Sequence, residues 1–446
     1  MTDQDIVHPS GGEGEGRGGS KSHRKCCTCK SCVKFVWYNG SDRTTQAFYF
    51  NQFGRSMLFV SVTFLSLAIL QLANKAAGCP IDEETGAYLD CGNRIYGAKP
   101  SSMLALMAVV GGVATAAFMP YAGAVVDYTD RRRGFGIAVA SLLVIVNFIQ
   151  VFIFDSTWFP FAILQAVIAA STFMANAMVM WSYVGAESEH KLHGVTASGR
   201  NWETGGMLSY LLVVAGVGFA FSWDSVTLAR FAQALCSVVG GLFMYLSYSR
   251  YQPMKAQKTL QEGQNLYLAG MTSLWRTITD LGRTAPGAQR YLISIIFADA
   301  ATGSFTSLAV TYLKEQLGMS DFSTQIFIIL TLVCGVPGTL IHRTLGRSLG
   351  HKRSYLLALS YWIGITGAFV GILNGPDRQS IAFAFAALYG IGYGWLYPST
   401  NGFFISLLPK GRDVELWGWN MFAGACLAWV PPLVFTALNE SVGDMR

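Results

Sequence analysis

The side chains most able to do chemistry stand out because they interrupt apolar runs. Asp299 lies within Ile295-Ile-Phe-Ala-Asp299-Ala-Ala-Thr302-Gly303-Ser304, inside an apolar stretch from 289 to 313. A carboxyl group there takes and releases a proton, binds an amine beside a small, hydroxyl-bearing face, or stays neutral and bonds one helix to another. Arg55 and Glu203 each open an apolar stretch. They can pair as a gate at a mouth shared with Asn51 and Gln52, or act apart, the arginine snorkelling and the acid suiting a helix N-terminus. Asn176, Gln165 and Gln150 carry amides inside apolar runs; an amide there binds a zwitterion or joins two helices. The stretch from 380 to 408 alternates Gly390, Gly392 and Gly394 before Trp395, Tyr397, Pro398 and Asn401. This suits a helix that bends at a binding site, with Trp395 and Tyr397 as walls for an apolar side chain. Close packing against the stretch from 158 to 185 would need the same glycines.

Other chemistries find little support. The six histidines, at 8, 23, 190, 193, 342 and 351, fall in the tail or at one end of the apolar stretches, and no stretch offers paired carboxylates or a Cys/His set. An intramembrane enzyme is therefore disfavoured. Glu187-Ser-Glu189-His190-Lys-Leu-His193 has ligand types, but without a partner cysteine it reads as a solvated loop, and no metal or cofactor is expected. No Gly-x-x-x-x-Gly-Lys-Ser/Thr loop is present, so ATP-driven work would need another subunit. No nucleic-acid partner is expected. Cys79 and Cys91 flank an acidic run, Asp82 to Glu84, and can form a disulfide in an oxidising compartment or remain two thiols. Cys26, Cys27, Cys29 and Cys32 sit among basic residues, which suits S-palmitoylation or an unmodified tail. Cys236, Cys334 and Cys426 read as small core residues.

The elements that must position these groups follow from composition. Of 446 residues, 52% are hydrophobic and 13% charged, with a mean hydropathy of +0.37. Soluble domains carry about 25% charged residues, so this is an all-α integral membrane protein. Eleven apolar stretches fall near 53–76, 102–126, 135–154, 158–185, 204–223, 226–249, 289–313, 323–343, 354–374, 380–408 and 415–437. None alternates with the period of a membrane barrel. With the N-terminus in the cytoplasm, 24 of the 32 Lys and Arg fall on the cytoplasmic side. The expected organisation is a basic, cysteine-containing tail at 1–50, a six-helix bundle at 51–249, a linker at 250–289 and a five-helix bundle at 290–446. Within the linker, Tyr267, Met271, Leu274, Ile278 and Leu281 alternate in steps of four and three, which predicts an amphipathic helix over 260–281 at the membrane face. Trp429, Pro431 and Pro432 predict a kink in the last stretch.

Two loops suggest that the halves repeat. Gly123-Ala-Val-Val-Asp127-Tyr-Thr-Asp130-Arg131-Arg132-Arg133 follows the second stretch, and Gly346-Arg347-Ser-Leu-Gly350-His351-Lys352-Arg353 follows the eighth. Gly123 would let helices approach closely, Asp127 would pair or cap at a helix end, and Arg131 and Arg132 would latch neighbouring carbonyls or acids. The first loop resembles the signature between helices 2 and 3 of the major facilitator superfamily. It departs at Tyr128 and Asp130, and in the second copy Arg347 replaces the acid.

More segments narrow the match. Pro120-Tyr-Ala-Gly-Ala-Val-Val-Asp-Tyr, Val195-Thr-Ala-Ser-Gly199, Phe297-Ala-Asp299, Gly394-Trp-Leu-Tyr-Pro-Ser399, Leu408-Pro-Lys-Gly-Arg-Asp-Val-Glu-Leu-Trp-Gly418 and Trp429-Val-Pro-Pro-Leu-Val-Phe435 resemble the autophagy-related vacuolar amino-acid efflux proteins from about Tyr49 to Glu440. The resemblance implies a two-bundle transporter in a vacuolar or lysosome-like membrane that exports amino acids to the cytosol by alternating access. Asp299 then becomes the candidate for proton coupling. A non-transporting sensor on the same scaffold and a plasma-membrane location are the alternatives. The family plan of six plus six helices implies that this chain lacks the twelfth.

Overall fold

Asp42 sets where the first helix begins. Its carboxylate accepts the backbone N–H groups of Thr44 and Thr45 at 2.6 and 3.3 Å, and the Thr45 hydroxyl at 3.0 Å. This capped helix runs over Arg43–Ala76. The expected tail boundary at 50 and helix start at 53 are therefore too late. Hydropathy misses the first turns because their polar residues dilute the signal, although Ala47, Phe48 and Tyr49 are fully buried.

The structure, a computed structural model, describes residues 42–442 except 82–90, 92, 185–188, 261–262 and 409–412. Among these, eleven helices are long and apolar enough to cross a membrane. Spans 1 to 11 are Arg43–Ala76, Pro100–Tyr128, Arg132–Phe152, Trp158–Val184, Ser198–Phe221, Ser225–Arg250, Pro286–Lys314, Phe322–Gly346, His351–Ile372, Pro376–Leu407 and Leu416–Ser441. Their starts obey local chemistry. Asp224 caps span 6 and Ser320 caps span 8, while Pro100 and Pro286 occupy first-turn positions where a missing N–H costs nothing. Spans 8 and 9 meet at Gly350, whose φ of +82° is the left-handed geometry that glycine adopts without strain.

Span 1 packs against spans 5 and 6 and is the most enclosed helix. Spans 2, 3 and 4 complete the first bundle; spans 7 to 11 form the second. Span 10 stays helical throughout Gln379–Leu407, so its glycines do not open it. A Cβ on Gly394 would collide with the backbone carbonyl of Gly335, and one on Gly390 with that of Thr331. The glycines serve close packing, and their partner is span 8, not span 4. Span 11 is broken: one helix ends at Cys426 and the next begins at Val430, ahead of Pro431 and Pro432.

The linker helix occupies Leu266–Thr284, started by Asn265 Oδ1, which accepts the Tyr267 N–H at 2.9 Å. Its expected apolar stripe is split: Leu281 is fully buried, Leu274 and Ile278 half-buried, and Tyr267 and Met271 exposed. Gly270 explains the rotation, because it packs directly on the Pro120 carbonyl of span 2. Leu268, Met271 and Trp275 then face outward.

Candidate functional site

The two bundles touch at both membrane faces and leave a polar space between. On the face carrying the N-terminus, Trp181 of span 4 stacks on Trp417 of span 11, with ring centroids 4.4 Å apart, and Phe404 and Phe48 pack edge-on against this pair. On the opposite face the contact is polar. Glu440 Oε1 accepts the Lys99 backbone N–H at 2.7 Å, and Asn439 donates from Nδ2 to Ser101 and Ser102 at 3.0 and 2.9 Å. Arg94 approaches Glu440 Oε2 at 3.2 Å. Arg94 follows Cys91, which the structure joins to Cys79 in a disulfide.

A cavity of about 130 Å³ lies between the bundles, toward the N-terminal face, lined by Gln52, Trp181, Arg200, Glu203, His342, His351, Tyr397, Pro398, Asn401, Gly402 and Ile405. Glu203 is its electrostatic centre. Its Oε2 meets Arg200 at 2.9 Å and its Oε1 meets Arg55 at 3.6 Å. Arg55 also donates to Gln52 Oε1 at 3.3 Å and stands 4.5 Å over the Phe173 ring. Arg200 lies 4.2 Å over the ring of Tyr397, which crosses from span 10. On the second bundle, His342 Nδ1 and the Ser399 hydroxyl are 2.8 Å apart, and the His342 and His351 rings are 6.4 Å apart.

The residues singled out within the described part of the chain can now be placed. Arg55 and Glu203 come together as an ion pair, and Gln52, Tyr397 and Asn401 line the same cavity. Asn51 turns away, donating to Ser247 at 3.4 Å. Trp395 is not a cavity wall. It is buried within the second bundle and donates to the Ser354 hydroxyl at 3.1 Å, because span 10 turns that face toward span 9. Asn176 donates to the Tyr248 hydroxyl at 2.7 Å, and Gln165 accepts from Gln150 at 2.9 Å. Both amides therefore join helices inside the first bundle rather than meeting the cavity.

Asp299 faces span 11, where a Cβ on Gly424 would lie 2.7 Å from its Oδ2. Tyr291, Tyr355 and Tyr397 lie within its electrostatic reach. Among the described residues its carboxylate has no hydrogen bond or ion pair. The sequence reading missed Arg200, His342 and His351. Arg200 was legible as the partner three residues before Glu203 on one helical face.

The loop after span 2 is held partly as expected and partly through the linker. Asp127 pairs with Lys258 of the linker at 3.3 Å, and its backbone carbonyl accepts the N–H groups of Gln257 and Lys258 at 2.9 Å each. It thus fastens the linker to the end of span 2, with the Arg132 guanidinium also within its electrostatic reach. Arg132 is buried and donates to the carbonyls of Val126 and Ser182, while Arg131 is exposed at the start of span 3. A Cβ on Gly123 would make only ordinary contact, 3.7 Å from the Met178 sulfur; the tight approach belongs to Gly270 instead. Cys26, Cys27, Cys29, Cys32 and Glu187 lie outside the described residues.

Two helical bundles closing on a charged cavity define a major facilitator-type transporter fold, and solved transporters share it. The chain is similar to the human organic anion transporter MFSD10 (TETRAN), with a TM-score of 0.60 at 12% identity, covering 90% of this chain and 95% of that one. It is also similar to the nucleoside transporter NupG, at TM-score 0.55 and 14% identity over 88% and 91% of the two chains. For the xylose transporter XylE from E. coli, in a partially occluded inward-open conformation, the values are 0.53, 13%, 87% and 91%. Residues 185–446 match the family described as vacuole effluxer Atg22 like, and the chain belongs to that family. Autophagy-related protein 22-1 of Emericella nidulans is 22% identical over 197 residues, which is 40% of this chain and 33% of that protein. The match thus spans about a third of that relative's length.

Proposed function

We propose that the protein is a secondary active transporter carrying amino acids from a vacuolar or lysosome-like lumen to the cytosol, with its N-terminus cytosolic. The observation that supports it most is the cavity of mixed charge between the bundles, where Arg200 and Glu203 face Tyr397, Asn401 and the two histidines. A zwitterion needs both charge signs within one small space, and a low-dielectric wall strengthens each contact. Alternating access follows from the two closures. Parting the Trp181–Trp417 stack exposes the cavity on the N-terminal face, and parting Asn439 and Glu440 from span 2 exposes it on the other. Asp299 is the coupling candidate, since a carboxylate at mid-span without a counter-ion is a place where a proton can be loaded and released. The test is flux of radiolabelled Leu, Ile, Tyr, Lys and Arg into proteoliposomes under an imposed pH gradient. Uptake above protein-free vesicles for at least one of them is expected; none for any would remove the reading.

A further inference from the structure

Where spans 1 and 5 meet, one carboxylate serves two guanidinium groups. Glu203 gives one oxygen to Arg200 and the other to Arg55. The side chains are enclosed, with Arg55 and Glu203 each 8% exposed and Arg200 24%. Two arginines and one glutamate leave a formal charge of +1. Among the described residues the cavity wall supplies no second acid. Asp299, on span 7, pairs with neither arginine. A buried cation without a full counter-ion is costly, and a second observation points the same way: Arg55 Nε is buried and has no hydrogen-bond acceptor among the described residues. Arg200 lies with its face on Tyr397 and meets Glu203 through Nη1, and it lines the cavity. The free edge of a guanidinium is the group that takes a carboxylate through two parallel N–H donors.

We infer that the cavity holds the carboxylate of its cargo against Arg200, with Arg55 supplying the excess charge from behind Glu203. The inference deepens the amino-acid reading and rests on it for the cargo's amine, but not for its carboxylate. Anion binding brings the cluster from +1 to neutral. A cation without a carboxylate would instead raise it to +2, and the site rejects it.

The test uses the full chain in lipid nanodiscs, with tryptophan fluorescence reporting binding because Trp181 lines the cavity. Three probes of one shape separate the charges: leucine, its keto acid 4-methyl-2-oxopentanoate, and leucinamide. Leucine and the keto acid should bind, and leucinamide should bind about ten- to a hundredfold more weakly. Arg200→Gln should weaken the keto acid by a similar factor. Glu203→Gln should strengthen it, because removing the one acid raises the cluster to +2. Keto-acid binding that depends on Arg200, without binding of leucine, Ile, Tyr, Lys or Arg, keeps the carboxylate site and removes the amino-acid reading. Leucinamide binding as tightly as leucine overturns the inference. So does weaker keto-acid binding by Glu203→Gln at an unchanged melting temperature, or binding of none of the three.

Discussion

Replacing Glu440 with alanine should let the bundles part on the face opposite the N-terminus. Glu440 Oε1 accepts the Lys99 N–H at 2.7 Å, a hydrogen bond to a charged acceptor worth about 1.5–3 kcal/mol. Its pairing with Arg94 at 3.2 Å adds at most about 1 kcal/mol, because Arg94 is 57% exposed. Asn439 keeps its bond to Ser102, so the loss is confined to the Glu440 contacts. A total of about 1.5–4 kcal/mol raises the ratio of open to closed molecules roughly 10- to 900-fold. Ser101 reports this well, being 2% exposed and covered by Asn439. A Ser101→Cys chain lacking the other free cysteines is treated with a membrane-impermeant maleimide, with and without Glu440→Ala. Slow alkylation of a buried thiol scales with the open population, so the rate should rise by the same factor. An unchanged rate would refute the assignment of this contact as a closure.

Three further outcomes are expected. Gly394→Val must push span 10 off the Gly335 carbonyl of span 8, costing about 1–3 kcal/mol and lowering Tm; an unaltered Tm contradicts the packing. Trp417→Ala removes a side chain 1% exposed that stacks on Trp181. It should cost about 3–5 kcal/mol and speed alkylation of a cysteine at Ala177, in the same cluster; equal rates would show that the stack does not close that face. Asp299→Asn should abolish the dependence of uptake on a pH gradient while membrane insertion is retained; unchanged dependence removes Asp299 as the coupling group.

The spans were legible because an apolar run must be long to cross lipid, and nothing soluble imitates eleven of them. The start of span 1 was not, since the Asp42 cap works through hydrogen bonds rather than hydropathy. Arg55 and Glu203 were legible as charges at the edges of apolar runs. Arg200 was legible only by its spacing from Glu203, because the positive-inside rule counts a basic residue at a helix end as topology rather than as a ligand. Trp395 and Tyr397 show the limit most clearly: they differ by two positions on one helix, which places them on opposite faces. Only the packing of span 10 against spans 8 and 9 decides that Tyr397 meets the cavity and Trp395 the Ser354 hydroxyl. Asn176 and Gln165 likewise needed their partners, Tyr248 and Gln150, before their role could be read.

The most direct test of the central claim is counterflow of radiolabelled leucine in proteoliposomes preloaded with unlabelled leucine, comparing the parent chain with Arg200→Gln. Exchange needs only a cargo site exposed alternately on the two sides, and no ion gradient. The account predicts transient accumulation of label by the parent chain and none above protein-free vesicles for the variant. Equal accumulation by both would place the cargo site elsewhere than the Arg200–Glu203 cavity, and no accumulation by either, with Ile, Tyr, Lys and Arg giving the same result, would contradict amino-acid transport itself.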